Sequence, residues 1–182
     1  MKAEPIPPES TLDSLHIDVT IGFSYWDAAL PDAVTQAKDA CEAAFRNAGA
    51  DIGCQVAEVS IVLANDALVR SLNREYRGRD EPTNVLSFPT AIKESPHAEI
   101  PILLGDIIVA YETALNEATV EGKSLSDHLY HLIVHGMLHL LGFDHEVSAD
   151  ADIMEAIEID VLQKVNIANP YEMLTSKDIA DP

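Results

Sequence analysis

The chain has little that would staple it covalently or carry it into a membrane. Its two cysteines, Cys41 and Cys54, form no C-x-x-C pair and stand apart from the histidines. That argues against a disulfide framework and a thiolate metal site, and fits a reducing cytosol with both thiols as core filler. No apolar run reaches the roughly 18 residues of a membrane span. The N-terminal Met1-Lys2-Ala3-Glu4-Pro5-Ile6-Pro7-Pro8 also lacks the apolar centre of an export signal. The expectation is a cytoplasmic protein, neither exported nor embedded. Basic residues are scarce: 11 Lys and Arg against 31 Asp and Glu leave a formal net charge of −20. A broad electrostatic footprint for nucleic acid is therefore not expected, although a local basic patch can exist inside an acidic whole. Internal repeats and low-complexity segments are absent as well. At 182 residues the chain reads as one domain, 1–182, long enough to bury a core, with 1–14 and 170–182 as tails.

What the chain does have is concentrated in His135-Gly136-Met137-Leu138-His139-Leu140-Leu141-Gly142-Phe143-Asp144-His145. At 3.6 residues per turn His135 and His139 present their imidazoles on one helix face, the spacing that offers two nitrogens to one metal. Gly142 stands where a helix stops, because glycine enters the left-handed cap conformation at little cost. The chain can then fold back and bring His145 beside the other two. Three neutral imidazoles with a fourth position for water make a catalytic zinc site, one ion per chain; a closed structural site would use four protein ligands. The H-x3-H-x5-H spacing is that of metzincin proteases, with one departure: Gly136 stands where those enzymes carry the Glu that serves as base. The plainer reading is a set of buried helix histidines satisfied by hydrogen bonds. Three at ligand spacing favour the ion, which satisfies all of them at once.

Along the chain, alternation in His16-Ile17-Asp18-Val19-Thr20-Ile21 predicts a strand. Val34, Ala37, Cys41, Phe45 and Ala48 predict a helix after Pro31 that stops at Gly49. Val59, Ile61 and Leu63 form a second strand, and Asn65-Asp66 caps a helix carrying Leu68, Leu72 and Tyr76 that ends at Gly78. Arg74, Arg77 and Arg79 concentrate positive charge at that end. An arginine beside a metal is a natural partner for a phosphodiester, while Arg74 and Arg79 read as a solvated helix end. Val85 to Phe88 is a strand stopped by Pro89, and a loop with Lys93, Pro96, His97 and Pro101 follows. Gly105 to Ala110 reads as a central strand, with Asp106 either a turn residue or a site carboxylate. A helix over Tyr111 to Glu121 closes at Gly122, and Ser124 to Asp127 is a capping box that opens the histidine helix.

On that helix His128, His131, His135 and His139 share about 80° of arc. His128 and His131 are expected at the rim or behind the ligands. Asp144 either accepts the second ring N–H of a ligand or caps the turn. A last helix begins at Ser148 with Ile153, Ile157 and Val161 on one face and Met154 as a core residue; the chain should fray from Asn169-Pro170. The pattern is α+β, a small mixed sheet of about four strands with about five helices around the histidine helix.

Leu72-Asn73 through Arg77 to Thr83-Asn84-Val85-Leu86-Ser87-Phe88-Pro89, then Gly105-Asp106-Ile107, then His135-Gly136 through His145, together resemble the YbeY family of metal-dependent endoribonucleases, bacterial rRNA maturation factors. The resemblance spans roughly residues 15 to 165, and paired motifs in order are far more specific than a lone zinc triad. It implies a small α+β domain, zinc on His135, His139 and His145, and Arg77 as the phosphate-binding catalytic group. It also implies single-strand-specific RNA cleavage in 16S rRNA 3′ end maturation and ribosome quality control. The implied partners are the small ribosomal subunit, a small-subunit ribosomal protein and the GTPase Era. Glycine at position 136 belongs to the family pattern, whereas Asn84 replaces a common Asp. A zinc peptidase and a non-catalytic ribosome assembly factor with a zinc site are the alternatives.

Overall fold

The computed structural model describes residues 15–48, 56–90, 101–145 and 148–172. The expected tail 1–14, the expected tail 170–182 from residue 173 on, the helix stop at Gly49, Cys54, and the loop bearing Lys93, Pro96 and His97 lie outside the described residues. The alternating segment near the N-terminus forms β1, Leu15–Ile21. A short helix α1, Tyr25–Ala29, precedes α2, Ala33–Ala48. Then come β2 (Ala57–Ala64), α3 (Asp66–Arg77), β3 (Val85–Pro89) and β4 (Ile102–Ala110). The helices α4 (Tyr111–Val120), α5 (Leu125–Leu141) and α6 (Ser148–Lys164) complete the chain. Among the described residues no helix is long and apolar enough to cross a membrane.

The fold is α+β, with a four-stranded mixed sheet ordered β1-β2-β4-β3. β1 and β4 flank β2 in parallel, and β3 runs antiparallel to β4 at the edge. That edge tolerates Pro89, which has no ladder donor to give. β4 lies inside the sheet, as its apolar run requires, and Ile107 to Ala110 are all buried. Asp106 is neither a turn residue nor at the strand start: it sits exposed within β4, opposite Phe88. The two sheet faces divide the core. Val59, Ile61, Leu63, Ile107 and Val109 join the cluster containing α2 and α5. Ala64, Ile108, Ala110 and Leu86 pack with Val69 of α3.

Three elements differ from the sequence reading, each for a tertiary reason. α1 has five residues, too few for a periodic signal, and is anchored by Trp26, fully buried with its indole N–H donating to the Ala64 carbonyl at 2.9 Å. α3 buries Val69 and Asn73, leaving Leu68 43% and Tyr76 64% exposed. The Asn73 amide donates to the Glu81 carbonyl at 2.8 Å, so a polar residue holds a core position and the loop after α3 together. α6 likewise turns Met154, Glu158, Val161 and Leu162 inward and leaves Ile153 exposed. Cys41 is buried against Met137, its sulfur 3.5 Å from the thioether, and burial pushes its thiol up to about 12. It is inert filler.

Candidate metal centre

α5 is buried along Leu129, Leu132, Ile133, Val134, Met137, Leu138 and Leu140. Its one polar strip carries the histidines. Ser124 caps its start by accepting from the Asp127 N–H at 3.0 Å. At the other end Gly142 has φ 96°, a left-handed cap in which the Gly142 N–H donates to the His139 carbonyl and the Phe143 N–H to the Leu138 carbonyl, both at 3.0 Å. This reversal brings His145 over the last turn. Ring centroids are separated by 4.6 Å for His135 and His139, 5.0 Å for His139 and His145, and 5.4 Å for His135 and His145. One nitrogen from each ring lies within 4.8 Å of the others.

The hydrogen bonds behind these rings set their tautomers. His139 Nδ1 faces the Phe143 carbonyl at 3.1 Å, and His135 Nδ1 faces a Glu158 carboxylate oxygen at 2.8 Å. Neither oxygen can donate when the carboxylate is ionised, so both Nδ1 atoms carry the hydrogen. The two Nε2 atoms then confront each other at 3.0 Å with lone pairs. That arrangement repels itself unless something positive sits between them, and an all-imidazole donor set suits zinc and its neighbours in the first transition row. Burial, reinforced by His135 and His145 nearby, pushes the His139 ring down to about 4, so at neutral pH it is in its ligating form.

The other two histidines of the strip face carboxylates. His128 Nε2 meets Glu117 at 2.9 Å, and the same oxygen accepts from the Asn84 amide at 2.9 Å. Asn84 is thus committed to α4, through a donor that an aspartate would lack. His131 Nε2 meets Glu158 at 2.8 Å. Asp144 accepts from the His145 backbone N–H at 2.7 Å, which is the turn-capping alternative of the two open for it. The carboxylate on a ring of the His135, His139 and His145 group is instead Glu158, fully buried on α6 and absent from the sequence reading. Its signal was available: it falls four residues after Met154 and four before Leu162, a charged residue on an inward face. Burial opposes its ionisation, but hydrogen bonds from His131, His135 and Tyr171 outweigh that and hold it down to about 2.

His139 and His145 open onto a cleft of about 670 Å³, lined also by Arg77, Arg79, Ser87, Pro89, Gly142, Phe143 and Asp144. α3 ends at Gly78, which sends Arg77 and Arg79 into this wall. Arg70 forms a two-pronged pair with Asp80 at 2.9 and 3.0 Å, and Arg74 lies 3.9 Å from the same carboxylate. Arg46, Lys123 and Lys164 are also paired. Among the described residues Arg77 and Arg79 have no ion-pair partner, so Arg74 behaves as a helix-end cation while Arg79 belongs to the cleft. Gly136 faces the sheet: a Cβ there would lie 2.9 Å from Ile107 Cγ2 and 3.1 Å from Ser87 Oγ. The position is packed so closely that even a methyl group would require Ile107 to shift, and a glutamate far more.

The model of the family described as Endoribonuclease YbeY matches residues 26–166, which include both arginine and histidine motifs. A protein named Endoribonuclease YbeY from Azorhizobium caulinodans is 48% identical over 159 residues, 87% of this chain and 98% of the relative. One of the same name from Paramagnetospirillum magneticum is 46% identical over 162 residues, 87% of this chain and 96% of its own. A solution structure from Thermotoga maritima aligns with a TM-score of 0.48 at 20% identity, over 86% of this chain and 99% of that one. With a family model spanning α1 to the end of α6 and relatives near half identity along almost their whole length, the chain belongs to the endoribonuclease YbeY family.

Proposed function

We propose that this protein is a zinc-dependent, single-strand-specific endoribonuclease that acts in rRNA processing at the 16S 3′ end and in ribosome quality control. His135, His139 and His145 would hold the ion and Arg77 would bind the scissile phosphate, within a single cytoplasmic domain. The observation that carries this reading is the pair of opposed Nε2 atoms, 3.0 Å apart, one of them on His139 in the lining of a cleft that also holds two arginines without an ion-pair partner among the described residues. Family membership supports RNA as the substrate.

When bound, zinc supplies Lewis acidity, lowering the pKa of a coordinated water toward about 7 and drawing charge from a phosphoryl oxygen. The protein's own groups do the rest. Arg77 is always charged and presents a planar fork to two non-bridging oxygens, so it orients the phosphate and stabilises charge gathering there. Arg79 extends the same wall toward a neighbouring phosphate. Single-strand preference fits the cleft, because a splayed backbone can lower one phosphate to the floor while a stacked duplex holds it outside. Cyclic phosphate ends on the products identify the substrate's 2′-OH as nucleophile, and linear ends identify water.

The charge of −20 bears on delivery. With so few free cations, RNA is presented by the small ribosomal subunit, a small-subunit ribosomal protein and the GTPase Era. The same charge favours a second reading, an assembly factor whose zinc is structural; ribosome association that survives loss of both His135 and Arg77, with no cleavage by the wild type, selects it. The deciding experiment is Arg77→Ala assayed on single-stranded RNA. Metal content and melting temperature stay at wild-type values while kcat falls by about 10²-fold or more. Full activity in that variant removes the assignment.

A further inference from the structure

Behind the candidate ligands the polar strip of α5 is closed by one side chain from another helix. Glu158 is fully buried, yet both of its carboxylate oxygens accept hydrogen bonds. Oε1 accepts from His135 Nδ1 at 2.8 Å; Oε2 accepts from His131 Nε2 at 2.8 Å and from the Tyr171 hydroxyl at 2.5 Å. Tyr171 lies in the stretch read as the start of a tail. It is held by an Asn169 side chain accepting from its backbone N–H at 3.0 Å, and Lys123 donates to the Pro170 carbonyl at 3.3 Å. The segment after α6 therefore lies across the start of α5, with its tyrosine reaching the carboxylate.

We infer that Glu158 and Tyr171 form a clamp that positions His135 as a metal ligand, which makes the segment after α6 a working part of the metal centre. The inference rests on the reading of His135 as a ligand given above. A carboxylate on Nδ1–H fixes the tautomer, aligns the ring plane and raises the basicity of the opposite nitrogen. His139 has only a neutral carbonyl from its own turn for this purpose. His135 has a charged acceptor that must arrive from α6, and a carboxylate free to rotate would not hold it. The two donors on Oε2 remove that rotation. Tyr171 also packs its ring edge-on to His131, with centroids 6.0 Å apart, so the hydroxyl is delivered by a fixed ring. Glu158 and Tyr171 are positioning residues, acting on the ion through His135.

The test uses the full-length protein, zinc competed against a chromophoric chelator at neutral pH, and the visible spectrum of the cobalt(II)-loaded form. Glu158→Gln is expected to weaken zinc affinity by roughly 10- to 100-fold and to shift the cobalt bands. Tyr171→Phe, which keeps the ring and its packing, should weaken affinity by about threefold or more. Glu117→Gln, on the neighbouring His128, should leave both readouts at wild type. Wild-type affinity and spectrum in Tyr171→Phe and in folded Glu158→Gln overturn the clamp. So does a second zinc per wild-type chain that disappears in Glu158→Gln, because His131, His135 and Glu158 would then be a metal site of their own. A wild type that binds zinc with the expected affinity series but cuts no RNA supports the clamp and removes the nuclease reading. A wild type that binds no zinc overturns both.

Discussion

The two ends of the histidine strip on α5 carry the same side chain on the same helix face and behave differently. At the N-terminal end His128 is 4% exposed and meets Glu117, and His131 meets Glu158. At the C-terminal end the Nδ1 of His139 meets the carbonyl of its own turn, and His145, just past the helix, makes no side-chain hydrogen bond among the described residues. His135 belongs to both ends, one nitrogen on Glu158 and the other toward His139. An imidazole's task is thus set by what faces its Nε2. Where a carboxylate fills that place the ring is a structural hydrogen-bond partner; where the nitrogens face one another the ring is free for an ion.

Removing a ligand breaks this contrast most sharply. His139→Ala should weaken zinc binding by about 10³-fold or more, and the chelator-induced drop in melting temperature expected of the wild type should vanish, because metal binding free energy is also folding free energy. His128→Gln tests the opposite end. Zinc stoichiometry and RNA cleavage should stay at wild type while denaturant unfolding reports a loss of about 1 kcal/mol from one exchanged hydrogen bond. A variant at position 128 that loses zinc would dissolve the distinction.

Between these lies Gly136, on the side of α5 pressed against β4. Gly136→Ala should cost about 1–3 kcal/mol through overpacking against Ile107, and Gly136→Glu should fail to fold rather than acquire peptidase activity. Soluble, zinc-loaded Gly136→Glu that digests casein would contradict the close approach.

Acid separates the two ends more gently. In the metal-free protein His139 has its folded pKa lowered to about 4 from 6.5, so between those values the unfolded chain binds a proton that the folded one does not. Its contribution to stability is full above 6.5 and is lost as pH falls toward 4. Glu158, lowered to about 2 from 4.5, keeps its contribution above 4.5 and loses it below. Urea midpoints of the metal-free protein should therefore decline in two successive windows, with His139→Gln flattening only the upper one.

Much of the frame was legible in the residues themselves. Alternation gave β1 and β2, Asn65 and Gly78 bounded α3, and Ser124 and Gly142 bounded α5, because caps and periods are local properties of the chain. The order and spacing of His135, His139 and His145 also carried the expectation that they gather, since a helix and one left-handed turn suffice to bring them together. Which face of α3 and α6 turns inward was decided elsewhere. A rotation of one residue separates Ile153 from Met154 and Leu68 from Val69, and only contact with the sheet or with α5 chooses between them. The same contact put Glu158 behind His135, drew Tyr171 onto it, and left Gly136 without room for a side chain. The histidine spacing is written along one helix and the turn after it, but the groups that contact its neighbouring side chains come from α6, from the segment after it and from β4, and distance in sequence hides such partners until the chain has packed.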